Sequence, residues 1–115
     1  MHEYSIVAAL VDRVALVVGE HPGAVAQKLH VQIGELAGVE IELLQTAFET
    51  FRERTSCERA ELVIERIPAA WRCPRCDRAI RAGDILRCPD CKQPARLVAG
   101  DDITLARVEM EVRDV

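Results

Sequence analysis

The chain has 115 residues, half of them hydrophobic but only 3% aromatic, with 15 Lys and Arg against 19 Asp and Glu. That length holds one domain, or one domain with a small appendage, around a core that must be aliphatic. A net charge of −4 argues against a general nucleic-acid binder.

The first three residues, Met1-His2-Glu3, place an α-amine, an imidazole and a carboxylate together ahead of an apolar run. The Met1 amine, the His2 backbone nitrogen and His2 Nδ1 can close fused rings around one ion. The Glu3 backbone or carboxylate, or a group from elsewhere, can take the fourth position. Nitrogen-rich, square-planar coordination favours Ni(II) or Cu(II). Initiator methionine is removed when the next residue is small; histidine is large, so the Met1 amine is expected to be retained. The run Ile6 to Val18 is broken by Asp12 and Arg13 and is too short to span a bilayer. Neither a basic start nor a small-residue cleavage site marks a secretory signal. A cytoplasmic location with no membrane contact is expected.

Tyr4 to Val18 reads as a helix. Ile6, Leu10, Val14 and Val18 recur at four-residue spacing, and Val7, Val11 and Val17 widen the face. So broad a stripe predicts burial of most of the helix, with Asp12 and Arg13 on the wet side. Gly19 to Gly23, with Pro22, is a stop and a turn holding a solvated His21. Ala26 to Glu35 alternates as a half-buried strand, Leu29, Val31 and Ile33 opposing Lys28, His30 and Gln32. His30 is expected on the exposed face. Glu40 to Arg54 is a second amphipathic helix, with Leu43, Leu44, Ala47, Phe48 and Phe51 on one face. Cys57 follows, unpaired in sequence, with no expected role. Ala60 to Ile67 and Ile103 to Val112 read as strands. The fold class is α+β: two helices packed on a small three-stranded sheet, with a zinc-ribbon-like module inserted before the last strand. The expected division is residues 1–69 with 100–115 as one domain and 70–99 as another.

That module carries Cys73-Pro74-Arg75-Cys76 and Cys88-Pro89-Asp90-Cys91, two C-P-x-C turns joined by eleven residues. In a reducing compartment two tight cysteine pairs read as metal ligands rather than disulfides. Two knuckles can close a four-sulfur tetrahedral site, with Gly83-Asp84 as the turn of the hairpin between them. Zinc is the natural occupant, because four thiolates leave no open position for chemistry. A redox dithiol and an iron centre are the alternatives. From Arg72 to Arg96 there are seven basic and three acidic residues, a net of +4, against −8 for the remainder. Arg72, Arg75, Arg78, Arg81 and Arg87 can offset a zinc–tetrathiolate centre, formally about −2, or dock on the acidic remainder. The module's only aromatic is Trp71, at its edge, so nucleic-acid bases would find little to stack on. Neither a nucleophile–base pair nor a phosphate-cradling glycine loop is present, so binding rather than catalysis is expected.

With both motifs in hand the chain resembles the HypA/HybF family of hydrogenase nickel-incorporation proteins. The resemblance runs end to end: Met1-His2-Glu3 with Ser5, Ile33-Gly34-Glu35-Leu36 with Gly38-Val39, Ala47-Phe48-Glu49, Ala60-Glu61-Leu62 leading to Ile67-Pro68, both knuckles, and Val108-Glu109. It implies a non-enzymatic metallochaperone with transported nickel on Met1, His2 and Glu3 and structural zinc on Cys73, Cys76, Cys88 and Cys91. It also implies partnership with a HypB-type GTPase, delivery to the large subunit of [NiFe] hydrogenase or its maturation complex, and in some organisms work with urease maturation proteins. Some relatives add an acidic ligand at the start of the second helix, where this chain has Glu40. The spacer between the knuckles is shorter than in many relatives. The reading of a different class is a zinc-ribbon adaptor that binds protein or nucleic acid through its arginines and ignores nickel.

Overall fold

The computed structural model describes residues 2–81 and 85–112, with the backbone alone at His2. The order is α1 (His2–Gly19), β1 (Ala24–Gly34), α2 (Ile41–Phe51), β2 (Glu61–Ile67), β3 (Ala70–Arg72), β4 (Ala79–Ile80), β5 (Arg96–Ala99) and β6 (Ile103–Val112). The strands form two three-stranded sheets, ordered β2-β1-β6 and β4-β3-β5. The α+β class and the insertion before the last strand are as the sequence predicts. The expected turn at Gly83-Asp84 lies outside the described residues. Among those residues no helix is long and apolar enough to cross a membrane.

The chain divides into two compact units, the first from segments 1–32, 39–65 and 104–115, the second from 33–38 and 66–103. In the first, α1 packs on α2. Val7, Leu10, Val11 and Val14 form the buried stripe of α1 at three- and four-residue spacing. The stripe is narrower than the sequence suggests, since Ile6, Val17 and Val18 are only half-buried, and Leu16 is 67% exposed. Leu16 lies three and four residues beyond Arg13 and Asp12, so helical periodicity carries it onto their wet face. In α2 the buried residues are Leu44, Ala47 and Phe48. Leu43 and Phe51 are largely exposed: Leu43 sits about 100° round the helix from Leu44, and Phe51 is the last helical residue.

Along β1, Leu29, Val31 and Ile33 turn inward, all at most 2% exposed. The alternation slips once, where Gln27 and Lys28 are both exposed between buried Ala26 and Leu29. The opposite face is knit by polar cross-strand pairs. Gln27 donates to Glu111 at 2.7 Å, and His30 pairs with Glu109. These two pairs advance along β1 while receding along β6, so the strands are antiparallel. Gln32 bonds Glu65 of β2. His30 therefore lies on the polar face, as the alternation predicts, but is half-buried and paired there rather than fully solvated. Its hydrogen bond and charge, with Arg107 beside it, hold the Glu109 carboxyl below the usual range. Cys57 is fully buried in the core, and burial raises its thiol to about 11.

The second unit is stitched at its base by backbone bonds: Gly34 N–H to Asp102, Glu35 N–H to Ile67 and Leu36 N–H to Gly100, at 2.7–2.8 Å. The Glu35 carboxylate accepts from Ala69 N–H at 2.8 Å. The crossing is tight. A Cβ on Gly34 would lie 2.2 Å from the Gly100 carbonyl, and Gly100 itself has φ +98. Both positions therefore exclude side chains.

Gly34→Ala should lower the unfolding free energy by about 1–3 kcal/mol, the usual effect of forcing atoms into a packed interior, measured by urea titration. Gly19→Ala, which meets nothing within 4 Å, should be neutral or slightly stabilising. Cys57 should resist alkylation by iodoacetamide at pH 8 until the protein is unfolded. Because its folded pKa is raised, the stability from the neutral thiol is complete below about pH 9 and fades as pH rises through about 11. The loss of stability over that window should be smaller in Cys57→Ala.

Candidate metal centres

The knuckles are built by local chain geometry. In the first, Cys73 N–H donates to Arg78 O and Asp77 N–H to Cys73 O, both at 2.9 Å. The second repeats this with Cys88 N–H to Gln93 O and Lys92 N–H to Cys88 O, again at 2.9 Å. Each turn closes on a left-handed non-glycine residue, Asp77 at φ 62 and Lys92 at φ 60, a conformation that costs about 1–2 kcal/mol in an L-residue. Pro74 and Pro89 fix the first corner of each turn.

β3 is the centre of the small sheet. Trp71 faces Ile80 on β4 and Leu97 on β5, and Arg72 faces Ala79 and Arg96. A small core follows, of Cys73, Ile80 and Cys88, with Trp71, Cys91 and Ala95 packed against it. The four ligand sulfurs of Cys73, Cys76, Cys88 and Cys91 lie within 4.8 Å of one another. Cys76 Sγ and Cys88 Sγ are 3.7 Å apart. A tetrahedron of thiolates bonded at about 2.3 Å has edges of about 3.8 Å, and the Cys76–Cys88 spacing matches one such edge. All five cysteines are free thiols.

The first cysteine of each knuckle is buried and the second is more open: Cys76 is exposed and Cys91 half-buried. Backbone N–H groups point at the buried sulfurs. Arg75 and Cys76 donate to Cys73 Sγ at 3.4 and 3.5 Å, and Cys91 donates to Cys88 Sγ at 3.4 Å. The Cys76 N–H is the main reason the Cys73 thiol falls to about 7. Cys91 is pushed to about 12, chiefly by its contact with Cys76 and then by burial. Four sulfurs this close cannot all ionise without a cation among them.

The basic residues of the module have specific work. Arg72 donates to Asp77 O at 2.6 Å and Arg87 to Lys92 O at 2.9 Å. Arg78 bridges the knuckles through Asp90 at 2.5 Å. The sequence reading treats these arginines as diffuse charge compensation and misses the two carbonyl bonds. The signal is there to be read, because an arginine precedes each C-P-x-C turn.

At the other proposed site, Met1 lies outside the described residues, and for His2 the backbone begins α1. Glu3 is only 9% exposed in the first helical turn. Its Oε2 accepts from Glu40 N–H at 3.3 Å. Glu40 is the residue capping α2, and its own side chain makes no capping bond. Hydrogen bonds from the backbone N–H groups of Glu3 and then Glu40 hold the Glu3 carboxyl below its ordinary pKa. Two residues singled out separately in the sequence thus meet where both helices start.

Comparison with known proteins decides the family. Residues 1–110 match the family described as HypA, hydrogenase/urease nickel incorporation, metallochaperone. The chain belongs to the HypA family. A hydrogenase maturation factor HypA from Wolinella succinogenes is 38% identical over 99% of this chain and 98% of its own length. The HypA of Aquifex aeolicus is 35% identical over 97% and 99%. The solution structure of the Ni metallochaperone HypA from Helicobacter pylori matches with a TM-score of 0.74 at 27% identity, over 96% of this chain and 98% of that one. Another HypA solution structure gives the same TM-score at 29% identity. HypA proteins are metallochaperones of hydrogenase maturation rather than enzymes.

Cys73→Ala or Cys88→Ala should abolish hydrogen-exchange protection at Trp71, Arg72 and Leu97, since metal-binding energy is largely folding energy in so small a unit. Protection at Val7, Leu10 and Leu29 should persist.

Proposed function

We propose that this chain carries Ni(II) on Met1, His2 and Glu3 and delivers it to [NiFe] hydrogenase during maturation, while Cys73, Cys76, Cys88 and Cys91 hold a structural Zn²⁺. The observation that carries this reading is the match of residues 1–110 to a nickel-incorporation family, joined to a cluster of four cysteine sulfurs within 4.8 Å of one another. Residues 1–69 with 100–115 form the nickel domain in this reading, and 70–99 the zinc domain. The protein works in the cytoplasm.

The donor chemistry supports two separate tasks. Four thiolates suit zinc and complete its coordination, so the zinc supplies fold rather than reaction. The nickel site draws on the Met1 amine, the His2 backbone nitrogen and imidazole, and Glu3. The first residues of a helix have no carbonyl four residues earlier to take their N–H groups. The His2 nitrogen at the start of α1 therefore has no intrahelical competitor for the ion. The positive end of a helix dipole opposes a cation; the carboxylates of Glu3 and Glu40 counter it, and Glu40 is the candidate for a further ligand. A site with exchangeable outer positions can be emptied by a competing acceptor. Energy for handover comes from a HypB-type GTPase, and the recipient is the hydrogenase large subunit or its maturation complex, with urease maturation proteins as a further destination.

Nickel titration of the untagged protein tests this. His2→Gln, and separately two residues added before Met1, should each weaken nickel binding by at least about tenfold, the scale of losing one ligand from a chelate. Zinc content should stay at one per chain in both. Nickel affinity should fall as pH drops and the amine and imidazole take up protons. Unchanged nickel affinity in either variant refutes the site.

A further inference from the structure

The two knuckles repeat one another at an offset of 15 residues, from Cys73 to Cys88. The repeat extends beyond the cysteines. In each, the residue after the second cysteine is left-handed, Asp77 in one and Lys92 in the other. In each, the arginine before the first cysteine reaches across the turn to that residue's carbonyl: Arg72 to Asp77 O at 2.6 Å and Arg87 to Lys92 O at 2.9 Å. Arg72 also lies 3.5 Å from Asp77 Oδ2. The second knuckle has a cation at the matching position, yet keeps the bond. The carbonyl, not side-chain charge, is therefore the common target.

The position of the bond matters. The left-handed residue's own N–H donates to the carbonyl of the first, buried cysteine. Locking its peptide fixes the turn from both sides and holds the spacing between the two sulfurs. An unlocked turn can relax toward a right-handed conformation, which shifts the chain that follows and loosens its return bond to the N–H of the first cysteine, opening the knuckle. The second cysteines are the open ones, Cys76 exposed and Cys91 half-buried, so they are where a competing ligand enters. Groups that fix a ligand's orientation from behind tune metal retention strongly.

We infer that Arg72 and Arg87 are positioning residues of the four-cysteine centre, each clamping the left-handed carbonyl that closes its knuckle and so setting how slowly the metal is released. This rests on the zinc assignment of the proposed function. Arg75 is the internal control: it is exposed on the first knuckle, and its side chain makes no such bond among the described residues.

The test is transfer of zinc from the full-length protein to the chromophoric chelator 4-(2-pyridylazo)resorcinol. Metal content is measured first; a wild-type protein without zinc refutes the zinc assignment itself and not the clamp. With one zinc bound, R72Q and R87Q should each release it about tenfold faster than wild type, and R75Q at the wild-type rate. R87Q/K92G should release zinc more slowly than R87Q, because glycine accepts the left-handed turn without a clamp, even though the double variant has lost a second cation. Equal acceleration in R75Q would mean charge alone is at work and would overturn the inference, as would wild-type rates in R72Q and R87Q. If R87Q loses its zinc during purification, R87Q/K92G must retain it; a double variant equally empty also overturns the inference.

Discussion

Four cysteine sulfurs within 4.8 Å of one another are the constraint on which the second unit turns. Two like unit charges 4 Å apart repel by about 4 kcal/mol at an effective dielectric of 20, so a cluster of thiolates is unfavourable alone and strongly favourable around a divalent cation. Backbone N–H groups bring Cys73 down to about 7, while the contact with Cys76 pushes Cys91 up to about 12. The core under the sulfurs is small, with Ile80 as its one buried aliphatic side chain among the described residues. In the proposed function, a unit with so little apolar burial draws stability from its bound ion.

The same constraint accounts for the concentration of arginine. A segment of net charge +4 inside a chain of −4 looks at first like an interaction surface. Three of its guanidinium groups are instead spent within the module, two on knuckle carbonyls and one on Asp90. Their positive charge also offsets the formal charge of the centre. Local backbone strain at Asp77 and Lys92 is held in place by those bonds.

The first unit follows different physics. Its core is aliphatic, built from Val7, Val14, Leu29, Val31 and Leu44 around a single buried phenylalanine, Phe48. Its sheet presents polar residues on the other face, where His30, Glu109 and Arg107 pair across strands. The Glu3 carboxylate joins the starts of the two helices through Glu40 N–H. In the proposed function this bond fixes the Glu3 carboxylate before the ion arrives, so that group loses less conformational entropy on binding. A closed thiolate site and an open nitrogen-rich site suit retention and release respectively.

The sequence by itself determined the elements whose signals are local. The period of α1 and α2, the alternation of β1 and β6, and the C-P-x-C pairs all report on neighbours a few residues away, and the structure places all of them close to their expected bounds. The family likewise followed from short motifs in order. Tertiary structure alone decided which apolar residues went inside: Leu43 and Phe51 are exposed although a broad apolar face seemed to include them, because burial depends on what an element packs against. It also decided the β4-β3-β5 sheet, whose strands of two to four residues are too short to carry a period, and the pairing of His30 with Glu109, 79 residues apart. Contacts made across that distance are set by how strands and turns come together, and composition or spacing along the chain holds no record of them.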